Sequence, residues 1–190
     1  MNQFRIIPCA EWGAKPPSHS IVPAGRPSRI IFHHTAGHHP ELDHQPGETL
    51  AEAVAYARAI QHSHMSPSST DPSKPWADTG NNFLVTRAGF VFEGRHGSLA
   101  AIKAGRMVVS AHCPTQNSQP GIEHEQMDAE PLTPIQWQAS VWLHAWICSK
   151  TGIKPAEIHG HREFHATECP GALFADLPRF RKDVAEALSL

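Results

Sequence analysis

The stretch HGHREFHATECPG, residues 159–171, combines three histidines with one cysteine. His161 and Cys169 are eight residues apart in a segment with two glycines and a proline, so loop geometry rather than helix or strand periodicity must bring them together. Imidazole nitrogen and thiolate sulfur are both ligands for a transition metal such as zinc. The segment therefore predicts two ligands of a metal site.

A third ligand is expected in FHHTAG, residues 32–37, where His33 and His34 follow an apolar run. Adjacent strand residues point to opposite faces, so only one of the two can face a given metal. Three protein ligands leave one coordination position for water, which is the arrangement of catalytic zinc, whereas four are typical of structural zinc. A single histidine carries little weight in a chain that has 15, so the prediction depends on the combination.

Composition predicts an ordinary globular protein. The 190 residues are 40% hydrophobic and 18% charged, with a net charge of −2 when histidine is neutral. Because there is no basic run and no long apolar stretch, we expect neither nucleic acid nor a membrane as a partner.

Residues 1–17 lack the apolar run of a secretory signal, and the location of the protein is left open. The four cysteines form no CxxC pair and no dense disulfide framework.

Hydrophobic periodicity predicts the elements that must position these residues. The helix at 134–150 has the clearest signals, because Thr133 and Gln136 match a capping box around Pro134 and Gly152 follows its end. The predicted class is α/β, a single domain over residues 1–190 with a central mixed β-sheet flanked by helices. Further expected elements are strands at 29–35, 107–113 and 121–126, a hairpin at 81–95 turning through Thr86–Gly89, helices at 48–64 and 175–188, and loops at 36–47 and 66–75.

Five short motifs occur in order along nearly the whole chain. They are EWGAKPP (11–17), IIFHHTAG (30–37), DTGNNFLVTRAGFVFEGR (78–95), SAHCPTQN with GIEHE (110–125) and GHREFHATECPG (160–171). Together they resemble the zinc N-acetylmuramoyl-L-alanine amidases of the peptidoglycan recognition protein and phage lysozyme-type amidase family. The fold of that family, a mixed sheet with helices on both sides and a metal in a surface groove, agrees with the elements predicted above.

The resemblance implies a role for each residue that matches a motif. It places the metal ligands at His33, rather than His34, and at His161 and Cys169, with Zn²⁺ as the cofactor. It also places Thr167 beside the metal. The family has Thr or Lys at this position, which helps to polarise the substrate carbonyl.

The general base is implied less directly. Glu123 in GIEHE matches a glutamate that is the base in one branch of the family, whereas another branch uses a tyrosine where this chain has Asn81. An asparagine cannot carry the proton, so the base is assigned to Glu123, and Asn81 is expected to position water or substrate. The alternative for Glu123 is a salt bridge at the surface.

Three other residues are candidates for binding substrate. His112 could donate to the oxyanion or hold substrate, or it could be a hydrogen-bonded strand histidine. His64, at the end of the helix at 48–64, and Trp76, just before DTG, could line the cleft or simply pack against neighbouring side chains.

The expected activity is amide hydrolysis. Zinc lowers the pKa of a bound water to about 7 and stabilises the oxyanion that forms when the carbonyl is attacked. The predicted reaction is cleavage of the amide between N-acetylmuramic acid and L-alanine, in peptidoglycan or its muropeptide fragments, by a monomeric protein.

Two other functions compete with this prediction. One is a recognition module that binds peptidoglycan without cutting it; such relatives have usually lost the metal cysteine, and Cys169 is present here. The other is a cysteine hydrolase that uses Cys169 as its nucleophile. That interpretation is weaker, because such an enzyme does not need a third ligand such as His33.

Overall fold

The computed structural model describes residues 4–37 and 48–189, so the predicted loop at 36–47 lies mostly outside the described residues. Its strands are β1 (Ile6–Ile7), β2 (Pro23–Ala24), β3 (Ile30–His34), β4 (Phe83–Val85), β5 (Val91–Glu93), β6 (Met107–Val108), β7 (Gly121–His124) and β8 (Ile158–Gly160). Its helices are α1 (Cys9–Trp12), α2 (Leu50–His64), α3 (Ser98–Lys103), α4 (Pro134–Thr151) and α5 (Leu173–Leu188), with short 3₁₀ turns at Pro155–Glu157 and His161–Glu163.

A six-stranded mixed sheet with the order β1-β5-β4-β7-β3-β8 forms the centre of the fold. Only the β4–β5 hairpin is antiparallel, and all the other pairs are parallel. Every residue of β3 is buried, as expected for a central strand of a parallel sheet that is covered on both faces. The predicted α/β class and mixed sheet are confirmed. A second, two-stranded sheet pairs β2 with β6.

Helices cover both faces of this sheet. On one face, Phe32 packs edge-on against Phe180 of α5, with ring centroids 5.0 Å apart, in a core that also contains Leu143 of α4. On the other face, Leu84 and other sheet residues pack against α1 and α2. Side chains alternate along a strand, so His33 points to the opposite face from Phe32.

The helix predicted at 134–150 is confirmed as α4. Thr133 accepts the backbone N–H of Gln136, and the side chain of Gln136 returns to the backbone of Thr133. Gly152 ends the helix in the left-handed conformation, with φ 77°. The same reciprocal cap starts α2, between Thr49 and Glu52, so that helix begins at Leu50.

The predicted strand at 107–113 is mostly wrong. Only Met107–Val108 is a strand, and it belongs to the small sheet with β2. After Val108 the chain turns, because the N–H of Ser110 donates to the carbonyl of Asn117 at 2.8 Å. The hairpin is confirmed, with Gly89 at φ 81° in its turn. Among the described residues, no helix is long and apolar enough to cross a membrane. That residues 1–190 form one domain stays a prediction.

Candidate metal centre

His33, His161 and Cys169 converge at one end of the sheet. One ligand atom from each lies within 4.8 Å of the others. His33 comes from the end of β3, and β8 pairs with β3 in parallel, so the segment that leaves β8 carries His161 to the same place. The loop that follows brings in Cys169 just before α5. A parallel pair of strands is therefore what joins residues so distant in the chain.

The atoms of this cluster fit a metal ion. The Sγ of Cys169 lies 3.6 Å from Nδ1 of His33 and accepts the backbone N–H of His34 at 3.4 Å, a contact that favours a thiolate. Nε2 of His161 is buried and has no hydrogen-bond partner within the described structure. A nitrogen left without a partner beside a thiol and a second imidazole is typical of a ligand set.

Burial sets the protonation of the three residues. It lowers the pKa of His33 well below its ordinary value and that of His161 to about 4, so both rings are neutral and can offer a lone pair. Burial raises the pKa of the Cys169 thiol to about 12. A metal that binds here would displace the thiol proton.

His34 belongs to different surroundings. Its Nε2 pairs with the carboxylate of Asp128, whereas its contacts with the Cys169 sulfur use the backbone N–H, at 3.4 Å, and the backbone carbonyl, at 4.0 Å. Adjacent strand residues point apart, and the structure places His33 rather than His34 in the cluster.

Glu123 lies next to the cluster on the neighbouring strand. In the β3–β7 pairing it is the register partner of His33, so the two side chains share one face of the sheet. Its side chain is buried, with 8% of the residue exposed, which does not fit a surface salt bridge. Burial raises its pKa to about 7, while the hydrogen bond from Asn81 opposes that shift. Nδ2 of Asn81 donates to Oε2 of Glu123 at 2.6 Å.

Thr167 lies half-buried beside the cysteine. Its Oγ1 accepts the backbone N–H of Cys169 at 3.2 Å. A hydroxyl that accepts one hydrogen bond still has its own hydrogen to donate, so Thr167 can offer an O–H to a ligand.

His112 occupies a different position from the one expected of a substrate contact. Its Nδ1 lies 2.9 Å from Nε2 of His33, and its Nε2 lies 3.0 Å from the carbonyl oxygen of Gln119. The ring is buried, and both nitrogens have partners. The described geometry therefore leaves no ring nitrogen of His112 free for a substrate.

His64 and Trp76 lie together, with ring centroids 4.8 Å apart. Nδ1 of His64 accepts the N–H of Gly80 at 3.0 Å, and the carbonyl of His64 accepts the N–H of Trp76 at 2.9 Å. These contacts hold the DTG segment against the end of α2. A role for either residue in binding substrate stays a prediction.

Behind the cluster lies a buried chain of polar groups that no sequence pattern predicts. Nδ1 of His124 contacts the carbonyl oxygen of His33 at 2.8 Å, and its Nε2 contacts the hydroxyl of Ser140 at 2.7 Å. The position of His124, one residue after Glu123 in a strand, was the available signal, because it predicts a ring on the opposite face. Its partner on α4 could not be inferred from spacing.

Comparison with known proteins identifies the family of this chain. A family model described as N-acetylmuramoyl-L-alanine amidase matches residues 23–172. The chain belongs to this amidase family. The matched region contains all three cluster residues.

Its relatives in the amidase family include recognition proteins and amidases. Peptidoglycan-recognition protein SC2 of Drosophila melanogaster is 32% identical over 169 residues, which cover 87% of this chain and 80% of that protein. The N-acetylmuramoyl-L-alanine amidase of Sus scrofa is 27% identical over 94% of this chain, which spans only 28% of that longer protein. A mutant of Drosophila PGRP-LB in complex with tracheal cytotoxin has the same fold, with a TM-score of 0.72, 26% identity, and coverage of 91% of this chain and 92% of its own.

Proposed function

We propose that this protein is a zinc-dependent N-acetylmuramoyl-L-alanine amidase that cleaves the amide between N-acetylmuramic acid and L-alanine. The observation that carries the proposal is the complete cluster of His33, His161 and Cys169 with the buried carboxylate of Glu123 on the adjacent strand. A binding module would need no such combination of three ligands and an acid–base group.

Zinc would be held by the two imidazoles and the thiolate. When bound, it supplies Lewis acidity, which activates water and polarises the carbonyl of an amide. Two nitrogens and one sulfur are a donor set that zinc prefers. Three protein ligands leave a position open, which is typical of catalytic rather than structural zinc.

Glu123 is the proposed general base. Its pKa, raised by burial to about 7, places its proton affinity near neutral pH, where a base works most efficiently. Asn81 occupies Oε2 of the carboxylate, so Oε1 is the oxygen left to take a proton from water and return it to the leaving amine. Asn81 holds the carboxylate in place and carries no proton itself.

Thr167 is proposed to orient the substrate. Since its Oγ1 already accepts the N–H of Cys169, its hydroxyl hydrogen is directed elsewhere and can donate to the carbonyl oxygen of the scissile amide. A donor aimed at this oxygen stabilises the negative charge that develops there during attack.

The proposed substrate is peptidoglycan or a muropeptide. The support is the family itself and the relative whose structure was solved in complex with tracheal cytotoxin. The alternative, a recognition module that does not hydrolyse, is favoured by one observation, namely that several relatives are named as recognition proteins. Measurement of bound zinc in the purified chain separates the two functions in part, because a recognition module has no need of the metal.

The experiment that tests the reaction is mass spectrometry of fragments released from purified peptidoglycan. Cleavage at the proposed bond frees stem peptides that begin with L-alanine and leaves glycan chains with intact lactyl groups. Cys169→Ser protein and chelator-treated wild type are the controls, and both should release nothing. Release of disaccharides, or of fragments cut within the stem peptide, would contradict the proposed bond.

A further inference from the structure

A chain of three groups extends from the cluster into the protein. Nε2 of His33 lies 2.9 Å from Nδ1 of His112, and Nε2 of His112 lies 3.0 Å from the carbonyl oxygen of Gln119. His33 and His112 are both buried, at 4% and 8% exposure. Both distances are those of ordinary hydrogen bonds.

The carbonyl at the end of this chain determines where the hydrogens lie. A carbonyl oxygen can only accept, so Nε2 of His112 must carry a hydrogen and donate it to Gln119. A buried imidazole without a carboxylate partner is disfavoured as a cation, so its other nitrogen, Nδ1, has a lone pair. Nδ1 of His112 therefore accepts, and Nε2 of His33 donates.

The tautomer of His33 follows. With its single hydrogen on Nε2, the neutral ring has its lone pair on Nδ1. Nδ1 is the atom that lies 3.6 Å from the sulfur of Cys169. The lone pair of His33 thus points toward the other two members of the cluster.

The surroundings hold His112 in this place. A Cβ added at Gly121 would clash with Cδ2 of the His112 ring, so only glycine leaves room for that ring. The loop that carries His112 is tied by Asn117, whose side-chain oxygen accepts the N–H of Cys113 at 2.9 Å and whose carbonyl accepts the N–H of Ser110.

We propose that His112 is a positioning residue that fixes the tautomer and ring orientation of His33, so that Nδ1 of His33 is the metal-binding atom. The inference rests on the proposed function, since it assigns a role toward the zinc of that site. Groups that hydrogen-bond to the second nitrogen of a ligand histidine are most often carboxylates or backbone carbonyls. Here that group is a neutral histidine, which is itself oriented by a backbone carbonyl and in turn orients the ligand histidine.

Two substitutions at His112 separate its hydrogen-bonding role from its bulk. In His112→Asn, the side-chain oxygen lies near the original Nδ1 and still accepts from His33, whereas His112→Leu has a similar volume and no acceptor. Zinc affinity, measured by competition with a chromogenic chelator, should fall by about 10- to 100-fold in His112→Leu and by much less in His112→Asn.

Gly121→Ala tests the same contact from the other side. The added methyl group presses on the His112 ring and should weaken zinc binding without altering any polar group. His144→Leu is the matched control, because His144 is also fully buried and its Nδ1 contacts Ser140 rather than His33. Its zinc affinity should equal that of the wild type.

The second readout is the ¹⁵N spectrum of the histidine rings in the metal-free chain. We expect the hydrogen of His33 on Nε2 in the wild type and in His112→Asn, and a mixture of tautomers in His112→Leu. A wild-type hydrogen on Nδ1, or unchanged zinc affinity in a folded His112→Leu protein, would overturn the inference. If the wild type binds no zinc, the proposed function fails, while the spectrum still decides the His33–His112 relationship.

Discussion

Asn81 and Glu123 form a buried hydrogen-bonded pair, with Nδ2 of Asn81 2.6 Å from Oε2 of the carboxylate. The two residues come from different parts of the sheet region, 42 positions apart in the chain. Oδ1 of Asn81 is buried without a partner among the described residues. One end of the amide thus holds the proposed base, while the other end is unpaired.

Glu123→Gln should lower turnover on a muramoyl-peptide by about 100-fold or more, the usual scale for loss of a general base. Glutamine has nearly the same shape and cannot accept the proton, so the loss is chemical rather than structural. Zinc content and thermal unfolding of the variant should match the wild type. Near-normal turnover would assign the proton to another group.

Asn81→Ala should cost much less than Glu123→Gln, and its effect should depend on pH. The hydrogen bond from Asn81 opposes the rise in the pKa of Glu123, so removing it raises that pKa further. Less of the carboxylate is then ionised at pH 7, and activity should recover as the pH is raised. The measurement is the pH profile of kcat/KM for both proteins. An acid limb that does not move would mean that Asn81 has no influence on the base.

Cys169→Ser should strip or greatly weaken zinc, because a serine hydroxyl is a poor ligand compared with a thiolate. Cys9→Ser is the matched control. The thiol of Cys9 is also buried and donates to the carbonyl of Glu93 at 3.4 Å, a bond that a serine hydroxyl can make. Full zinc occupancy in a folded Cys169→Ser protein, determined by elemental analysis, would contradict the ligand assignment.

His33→Ala should lose zinc, whereas His34→Ala should retain most of it. The side chain of His34 pairs with Asp128, and the contacts of His34 with the Cys169 sulfur use the backbone N–H and carbonyl, which alanine keeps. His34→Ala should therefore show its main effect on stability. The reverse pattern of metal content would mean that the strand register is off by one residue.

Glu48→Gln should stabilise the protein at high pH. Burial, and then the nearby Glu125, raise the pKa of Glu48 from 4.5 to about 7. A carboxyl with a raised folded-state pKa contributes stability that is complete below pH 4.5 and is lost as the pH rises through about 7. Oε2 of Glu48 accepts the N–H of Ala88, a bond that glutamine can keep.

The two proteins should therefore differ little in free energy of unfolding at pH 4.5. At pH 8 we expect the variant to be more stable by about 3 kcal/mol at most, from the size of the shift. Denaturant titrations at the two pH values measure the difference. A difference in the free energy of unfolding that is the same at both pH values would show that the ionisation of Glu48 does not cause it.

The sequence allowed prediction of those parts of the fold that have local signals. Thr133, Gln136 and Gly152 mark the ends of α4 by hydrogen bonds within a few residues, so its limits could be read from the chain. Strands β1, β2 and β8 are only two or three residues long and are stabilised by pairing with distant segments. No periodicity can be detected in so short a stretch.

The candidate site also has one part that could be predicted from the sequence and one part that could not. Motif positions placed His33, His161 and Cys169 together, and the structure brings their ligand atoms within 4.8 Å. The contact between His112 and His33 joins residues 79 positions apart and depends on a turn that the sequence suggested was a strand. Such a contact depends on tertiary packing, and neither propensity nor spacing could have revealed it.

The distance in sequence between His33 and Cys169 has a consequence for biosynthesis. Strand β3 is made well before both of its neighbours in the sheet, β7 and β8. A nascent chain that has not reached Cys169 lacks one of the three residues that meet at 4.8 Å. Because domains fold as units once their segments have emerged, the cluster is assembled only after the segment that carries Cys169 has emerged. The order of translation alone keeps a nascent chain that stops short of Cys169 from holding the complete site.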